Sequence, residues 1–111
     1  MPGDAKARAK NEAIFREINE QIEKVSQSVA PDDKTMAFLC ECDRADCHEV
    51  VNVTRAEYES VRAVPTRFIV LPGHEDPEVE QIGVSNDRFL VVEKEGEAAK
   101  QAAEHDPRSQ K

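Results

Sequence analysis

The segment from Cys40 to His48 constrains this chain most, because it contains all three cysteines and one of the three histidines. Cys40 and Cys42 are two residues apart, so on an extended chain their side chains point to the same side. Four residues separate Cys42 from Cys47, which is enough for a turn that brings the third sulfur back. Thiolates are soft ligands that select zinc, Fe–S clusters or Cu(I), so the CxCx4C spacing predicts most of a metal site.

A structural zinc site needs four nitrogen or sulfur ligands, so a fourth ligand has to come from elsewhere. His74 follows Pro72-Gly73 at the end of a predicted strand, where a rigid proline and a permissive glycine suit a ligand-bearing turn. His48 neighbours Cys47, and adjacent strand residues point to opposite faces, so both bind one ion only at a kink. The pattern favours His74 and predicts Zn²⁺ bound by Cys40, Cys42, Cys47 and His74. Other fourth ligands remain open: His48, His105, the carboxylates of Glu41, Asp43 and Asp46, or water.

The cysteines and the histidine also have a simpler interpretation without a metal. Free cysteine packs as a small hydrophobic residue, so the three thiols could be partly buried and bind nothing. His74 could be a turn histidine that faces solvent. The acidic residues around the segment, including Glu75 and Asp76, are best interpreted as a solvated rim, which opposes anion binding there.

The sequence predicts a cytoplasmic protein that does not span a membrane. Three crowded cysteines, odd in number, do not form a disulfide framework and suit a reducing compartment. No apolar run approaches the roughly 20 residues of a membrane span. The first residues, Met1 to Lys6, contain no apolar segment typical of a secretory signal.

Charge is distributed unevenly along the chain. The formal net charge is -8, yet residues 1–30 contain five basic and five acidic residues, so the remainder carries the whole excess. An acidic body repels phosphate backbones and anionic lipid surfaces, which argues against nucleic-acid and membrane binding. A basic protein partner, or no charged partner at all, fits this distribution better.

Residues 4–28 predict one long N-terminal amphipathic helix, because they lack Gly and Pro and are rich in Ala, Glu, Lys, Arg and Gln. Asp4 is the candidate N-cap. The apolar residues are spaced 3, 4, 3, 4, like a short coiled-coil seam: Phe15, Ile18, Ile22, Val25 and Val29. We expect this seam either to pack on the rest of the same chain or to mediate self-association or docking of a protein partner.

The remaining chain predicts an α+β fold, with a small antiparallel sheet and one or two short helices besides the long one. A capping box at Thr54 to Glu57 starts a short helix that Pro65 ends. The predicted strands are Met36–Leu39, Glu49–Val53, Arg67–Leu71, Val79–Val84 and Arg88–Val92, with a last helix at Ala98–Glu104. The first two strands form a hairpin that the metal would staple. The predicted organisation is an N-terminal helix (1–30), an α+β metal-binding domain (31–105) and a flexible tail (106–111).

Seven stretches carry a likeness to known sequences: Phe38–Cys42 with Cys47, Thr54–Arg62, Pro65–Phe68, Leu71–Glu75, Val91–Lys94, Gly96–Ala99 and Asn11–Asn19. On these stretches the chain resembles a family of small uncharacterised bacterial proteins that has no assigned function. The family carries the three cysteines and the Pro-Gly-His turn, and its members often lack a histidine at position 48. The resemblance implies that His74 is the fourth ligand.

These observations leave three kinds of function. The first is a non-enzymatic zinc-binding module, with a structural Cys3His site and a helix that binds a protein partner. The second is a thiol-based redox or metal sensor, because zinc-bound thiolates can be oxidised. The third is a zinc-dependent hydrolase, with Glu41 or Glu75 as acid or base, although a small core leaves little room for a substrate pocket.

Overall fold

The computed structural model describes residues 5–29, 34–42, 44, 47–106 and 108, and within the first helix it describes the side chains of residues 10–26. This part of the chain forms three helices and five strands, which confirms the α+β class. The elements are α1 (Ala5–Val29), β1 (Thr35–Leu39), β2 (Val50–Thr54), α2 (Arg55–Arg62), β3 (Arg67–Val70), β4 (Glu80–Ser85), β5 (Leu90–Lys94) and α3 (Gly96–Glu104). The predicted N-cap, Asp4, lies outside the described residues.

The described strands are divided between two small antiparallel sheets. β1 and β2 form a hairpin in which Phe38 pairs with Val51 and Met36 pairs with Val53. The second sheet has the order β3-β5-β4, so β5 is its central strand. A bulge between Ile82 and Val84 interrupts the β4–β5 register. The hairpin predicted for the cysteine segment is therefore present, but it does not belong to the same sheet as β3.

Local sequence signals set where α2 begins. The hydroxyl of Thr54 accepts a hydrogen bond of 3.0 Å from the Glu57 amide, and the Glu57 carboxylate accepts one of 2.8 Å from the Thr54 amide. This is the capping box predicted from the sequence. The helix then buries Tyr58, Val61 and Arg62. Tyr58 stacks on Phe38 of β1 with ring centroids 4.5 Å apart, which packs α2 against the hairpin.

The apolar core lies where the hairpin, α2 and the β3–β5 pair meet. Its fully or nearly fully buried members are Phe38, Val51, Val53, Tyr58, Val61, Phe68, Ile69, Val70 and Val92, together with Cys40 and Cys42. Two prospective metal ligands are thus part of the core. Movement of either sulfur would disturb packing as well as ligation.

The apolar residues of α1, for which the sequence left open packing on the same chain or binding to a partner, are only partly packed on the same chain. Ile18 is 42 % exposed and Val25 is 62 % exposed, and Ile14 beside them is 57 % exposed. Phe15 and Ile22 are half-buried, and the Val29 side chain lies outside the described residues. The face of α1 that is buried is polar, and its members are Glu12, Arg16, Asn19, Glu23 and Ser26.

The polar face of α1 is buried because each side chain finds a specific partner. Arg16 donates 2.8 Å to the Pro65 carbonyl and also donates to the Arg67 carbonyl, while its guanidinium lies 3.5 Å from the Phe68 ring centroid. Glu12 pairs with the buried ammonium of Lys94. Burying a charge is costly unless it is paired and hydrogen-bonded, and these partners supply the compensation. Specific pairing therefore outweighs the burial of a few aliphatic side chains.

Two residues of the predicted flexible tail are held on the body. Asp106 is 2 % exposed, and its carboxylate accepts hydrogen bonds from Arg62. Arg108 donates 2.9 Å to Glu20 of α1 and also bonds Glu59 of α2. The partners of these two positions lie far along the chain, since Asp106 is 44 residues from Arg62 and Arg108 is 88 residues from Glu20. Residues 107 and 109–111 lie outside the described part.

Candidate metal centre

The segment that carries the first two cysteines bridges the two sheets. The Cys40 amide donates 3.0 Å to the Glu49 carbonyl, which extends the hairpin by one step. The next amide, from Glu41, donates 2.8 Å to the carbonyl of Ile69 in β3. The Leu71 amide in turn donates to the Cys40 sulfur at 3.4 Å. The cysteine segment is thus bound on one side to β2 and on the other to the end of β3.

A tight turn after β3 brings His74 back to this segment. The His74 amide donates 2.9 Å to the Leu71 carbonyl, which closes a turn with Pro72 and Gly73 at its centre. Gly73 has a φ of 94°, a left-handed conformation that side-chain-bearing residues rarely adopt. A type II turn needs a positive φ at its third residue, which favours glycine there, and proline is common at its second residue. The turn was recognisable from Pro72-Gly73, whereas its distance from the cysteines was not.

The structure brings together the four residues predicted as ligands. The sulfurs of Cys40, Cys42 and Cys47 and a ring nitrogen of His74 all lie within 4.8 Å of one another. The Nδ1 atom of His74 is 3.5 Å from the Cys40 sulfur and 3.7 Å from the Cys47 sulfur. Cys40 and Cys42 are buried, and Cys47 and His74 are half-buried. This Cys3His cluster has the composition and spacing to hold a metal ion.

The thiols of the cluster influence each other's protonation. A hydrogen bond with Cys42 lowers the pKa of Cys40, and the Leu71 amide contributes in the same direction. The same thiol–thiol hydrogen bond, together with burial, raises the pKa of Cys42. Burial raises the pKa of Cys47. Because metals bind the thiolate, occupation of the cluster would release protons and would tighten as pH rises.

Glu41 lies between the two buried cysteines, and its carboxylate enters a buried polar network. It accepts hydrogen bonds from the Tyr58 hydroxyl at 2.7 Å, from the Asn19 amide at 2.9 Å and from the Ile69 amide at 3.3 Å. The Arg16 guanidinium lies 3.8 Å away. Burial, with the nearby Glu41 charge, raises the pKa of Tyr58, which keeps its hydroxyl protonated as a donor. Glu41 is therefore an anchor of the cysteine segment and does not join the ligand cluster.

Asn19 connects the same segment to α1. Its side chain pairs with the backbone of Leu39 in both directions, because Oδ1 accepts from the Leu39 amide at 2.7 Å and Nδ2 donates to the Leu39 carbonyl at 3.0 Å. The amide thus takes the place of a neighbouring strand at the end of β1. Sequence reasoning missed Asn19, since a polar residue on a charged helix looks like a surface residue. It proposed Glu41 as a ligand or as an acid or base, and did not predict its role as an anchor.

The other candidate ligands among the described residues are not in the cluster. His48 is exposed, and His105 lies at the end of α3. Glu75 accepts a hydrogen bond of 2.8 Å from the Gly73 amide, so it supports the turn. Asp43 and Asp46 lie outside the described residues.

Among the described residues, no helix is both long enough and apolar enough to cross a membrane.

Comparison with known proteins adds no family or fold relationship. No family model, curated protein or solved structure matches this chain. The function of the chain therefore has to be inferred from the chemistry of the Cys3His cluster and of the residues around it.

Proposed function

We propose that this chain is a non-enzymatic, cytoplasmic zinc-binding protein whose structural Cys3His site supports a protein-interaction or regulatory module. The observation that carries the proposal is the convergence of three sulfurs and one ring nitrogen within 4.8 Å. A tetrahedral zinc ion with bonds of about 2.0–2.3 Å separates its ligand atoms by about 3.6 Å. The sulfur–nitrogen distances of 3.5 and 3.7 Å fit this spacing.

A structural role is favoured over a catalytic one by the number of donors. Structural zinc sites use four protein ligands, whereas catalytic sites keep one position open for water. The cluster consists of four protein donors, and Glu41, a candidate acid or base, is engaged by Tyr58, Asn19 and Ile69. These features support a closed site without a reactive water.

The ion would cross-link two segments that are far apart in the sequence. Three ligands come from the segment after β1, and His74 comes from the turn after β3, so the metal would join the two sheets. Such a cross-link would add stability to a chain of 111 residues, because small cores supply little net stability. It would also hold Glu41 against Asn19, and therefore would hold α1 in its orientation.

The interaction role is supported by the outward face of α1. Ile14, Ile18 and Val25 are exposed on one side of this helix while its opposite side is fixed to the body. A row of exposed aliphatic residues with heptad-like spacing is typical of a helix that packs against another protein.

Elemental analysis of the purified chain tests the metal proposal. We expect one zinc per chain, and we expect the Cys40→Ser, Cys42→Ser, Cys47→Ser and His74→Ala variants to bind it at least about 100-fold more weakly. His48→Ala is the matched control and should keep full occupancy, because His48 is exposed. Chelation should lower the melting temperature and the helical circular dichroism. An unchanged melting temperature after chelation, or loss of zinc in the His48 variant alone, would contradict the proposal.

The exposure of Cys47 favours a second candidate, a thiol-based redox or metal sensor. Cys47 is half-buried, whereas Cys40 and Cys42 are almost fully buried, so oxidants would reach the Cys47 sulfur first. Oxidation of a zinc thiolate removes a ligand and releases the ion. Mild peroxide treatment should then release zinc and change the oligomeric state. A site that keeps its zinc under these conditions would exclude the sensor role.

A further inference from the structure

The outward face of α1 is unusual because the polar side of this helix is buried and an apolar side is exposed. The exposed aliphatic side chains are Ile14, Ile18 and Val25, and Gln21 continues the row. Ile18 and Val25 are seven residues apart, as are Ile14 and Gln21, so the row has the spacing of a coiled-coil seam. We call these four residues the α1 seam.

We infer that the α1 seam binds a second copy of this chain, with the two helices antiparallel, and this inference rests on the interaction surface of the proposed function. A two-fold axis between positions 19 and 20 sets Ile14 opposite Val25 of the second copy and Ile18 opposite Gln21 of the second copy. Each copy then presents the same surface to the other, as an isologous dimer requires.

The residues that flank the seam are complementary in the same register. On one side, Phe15 of one copy lies close to Ile22 of the other. Both side chains are half-buried in the single chain. On the other side, Glu17 of one copy lies close to Lys24 of the other, and both residues are exposed. Two apolar contacts and two opposite-charge pairs therefore form around one axis. Flanking charges of this kind set orientation and partner choice in paired helices.

The charge distribution also favours a second copy over a basic partner. Residues 1–30 have equal numbers of acidic and basic residues, and the excess of -8 lies on the rest of the chain. A basic partner would be attracted to the acidic body, away from the neutral helix. Two copies repel each other through their bodies, so the neutral helix is the surface across which they can approach.

Sedimentation velocity or light scattering on the zinc-loaded full chain tests this inference over a range of concentrations. We expect a monomer–dimer equilibrium that Ile18→Glu and Val25→Glu each weaken at least about tenfold, because a charge would be buried in the seam. The control is Ile82→Glu on β4, since Ile82 is 53 % exposed but lies outside the seam. A dimer lost in the Ile82 variant and kept in the Ile18 and Val25 variants would overturn the inference.

Charge reversal tests the register independently of the apolar substitutions. Glu17→Lys and Lys24→Glu each place like charges near one another in both pairs, and each should weaken the dimer about tenfold. The double variant should restore the affinity. An equimolar mixture of the two single variants should form a heterodimer that is stronger than either variant homodimer. Failure of both the double variant and the mixture to recover would overturn the antiparallel register.

These results separate the inference from the metal proposal. A chain that is monomeric at every concentration while it binds one zinc per chain would overturn the dimer and leave the metal site standing. If the cysteine variants lose zinc binding but still form the dimer, the result would support the dimer independently of the metal site.

Discussion

The Asn19 side chain donates a hydrogen bond of 2.9 Å to the Glu41 carboxylate, and this buried contact joins the first helix to the segment between two cysteines. Tyr58 of α2 donates to the same Glu41 oxygen at 2.7 Å. The position of the cysteines therefore depends on two helices as well as on the strands. In the proposed zinc-loaded protein, the same contact would let a change at the metal reach the outward face of α1.

Replacement of Asn19 by alanine should destabilise the fold by about 2–4 kcal/mol, because the Leu39 amide and carbonyl and the Glu41 carboxylate each lose a buried partner. Urea unfolding of the zinc-loaded protein measures this loss. Asn52→Ala is the matched control, since Asn52 is an exposed residue of β2, and its free energy of unfolding should change by less than about 0.5 kcal/mol. Equal effects of the two substitutions would show that Asn19 does not anchor the segment.

Gly73→Ala should lower the stability by about 1–3 kcal/mol, because the φ of 94° at this position strains any residue with a Cβ. The same change should weaken zinc binding, since the turn places His74. Gly83→Ala is the control, because a Cβ there meets the Val91 carbonyl at an ordinary 3.6 Å. Thermal melts and competition with a chromogenic chelator measure both effects. Unaltered zinc affinity in the Gly73 variant would show that the conformation of this turn does not control zinc binding by His74.

Glu23 should make the stability fall as pH rises. Burial, together with a hydrogen bond to Glu59, raises the pKa of Glu23 to about 8 from 4.5. An acid whose pKa is higher in the folded state contributes stability that is complete below pH 4.5 and is lost as pH rises to about 8. Arg108 opposes this effect, and Glu20 adds to it.

The measurement is urea unfolding of wild type and Glu23→Gln between about pH 5 and about pH 8.5. We expect the stability of the variant relative to wild type to increase across this range, because glutamine does not ionise. The pH dependence of metal binding is common to both proteins and cancels in the difference. Glu78→Gln, which removes an exposed carboxylate outside α1, is the control for the loss of a charge. A difference that stays constant with pH would contradict a raised pKa at Glu23.

Lys94→Met should destabilise the protein by at least about 3 kcal/mol, because it leaves the two carboxylates that surround the ammonium, those of Glu12 and Glu80, without their cation. Burial alone would lower the pKa of Lys94, but the charges of Glu12 and Glu80 outweigh it and raise the pKa. Lys100→Met on the exposed side of α3 is the control. A loss of less than about 1 kcal/mol in the Lys94 variant would show that the ion pairs of Lys94 with Glu12 and Glu80 contribute little to stability.

Much of the secondary structure was predictable because its signals are local. The capping box at Thr54, the turn at Pro72-Gly73 and the lack of Gly and Pro through α1 act over a few residues, and each element appears where these signals place it. The clustering of Cys40, Cys42 and Cys47 was equally visible, since eight residues contain all three. Chain geometry alone limits how far apart such sulfurs can lie.

The orientation of α1 was not predictable from its sequence. Apolar spacing indicated a seam through Ile18 and Val25, yet the residues that are buried are charged or polar. Their partners lie far along the chain: the Arg16 side chain bonds a carbonyl 49 residues away, and Asn19 bonds a strand 20 residues away. A periodicity measure assigns these side chains to solvent because it cannot include such partners.

By itself, the sequence determined the α+β class, the order of the elements and the three cysteines of the cluster, and it favoured His74 among several candidate fourth ligands. The tertiary structure decided that His74 reaches the cysteines, that Glu41 is an anchor, and which face of α1 is exposed. The physical reason is the same in each case. Local propensity acts over a few residues, whereas a buried charge or amide is stable only where distant backbone and side-chain groups meet it.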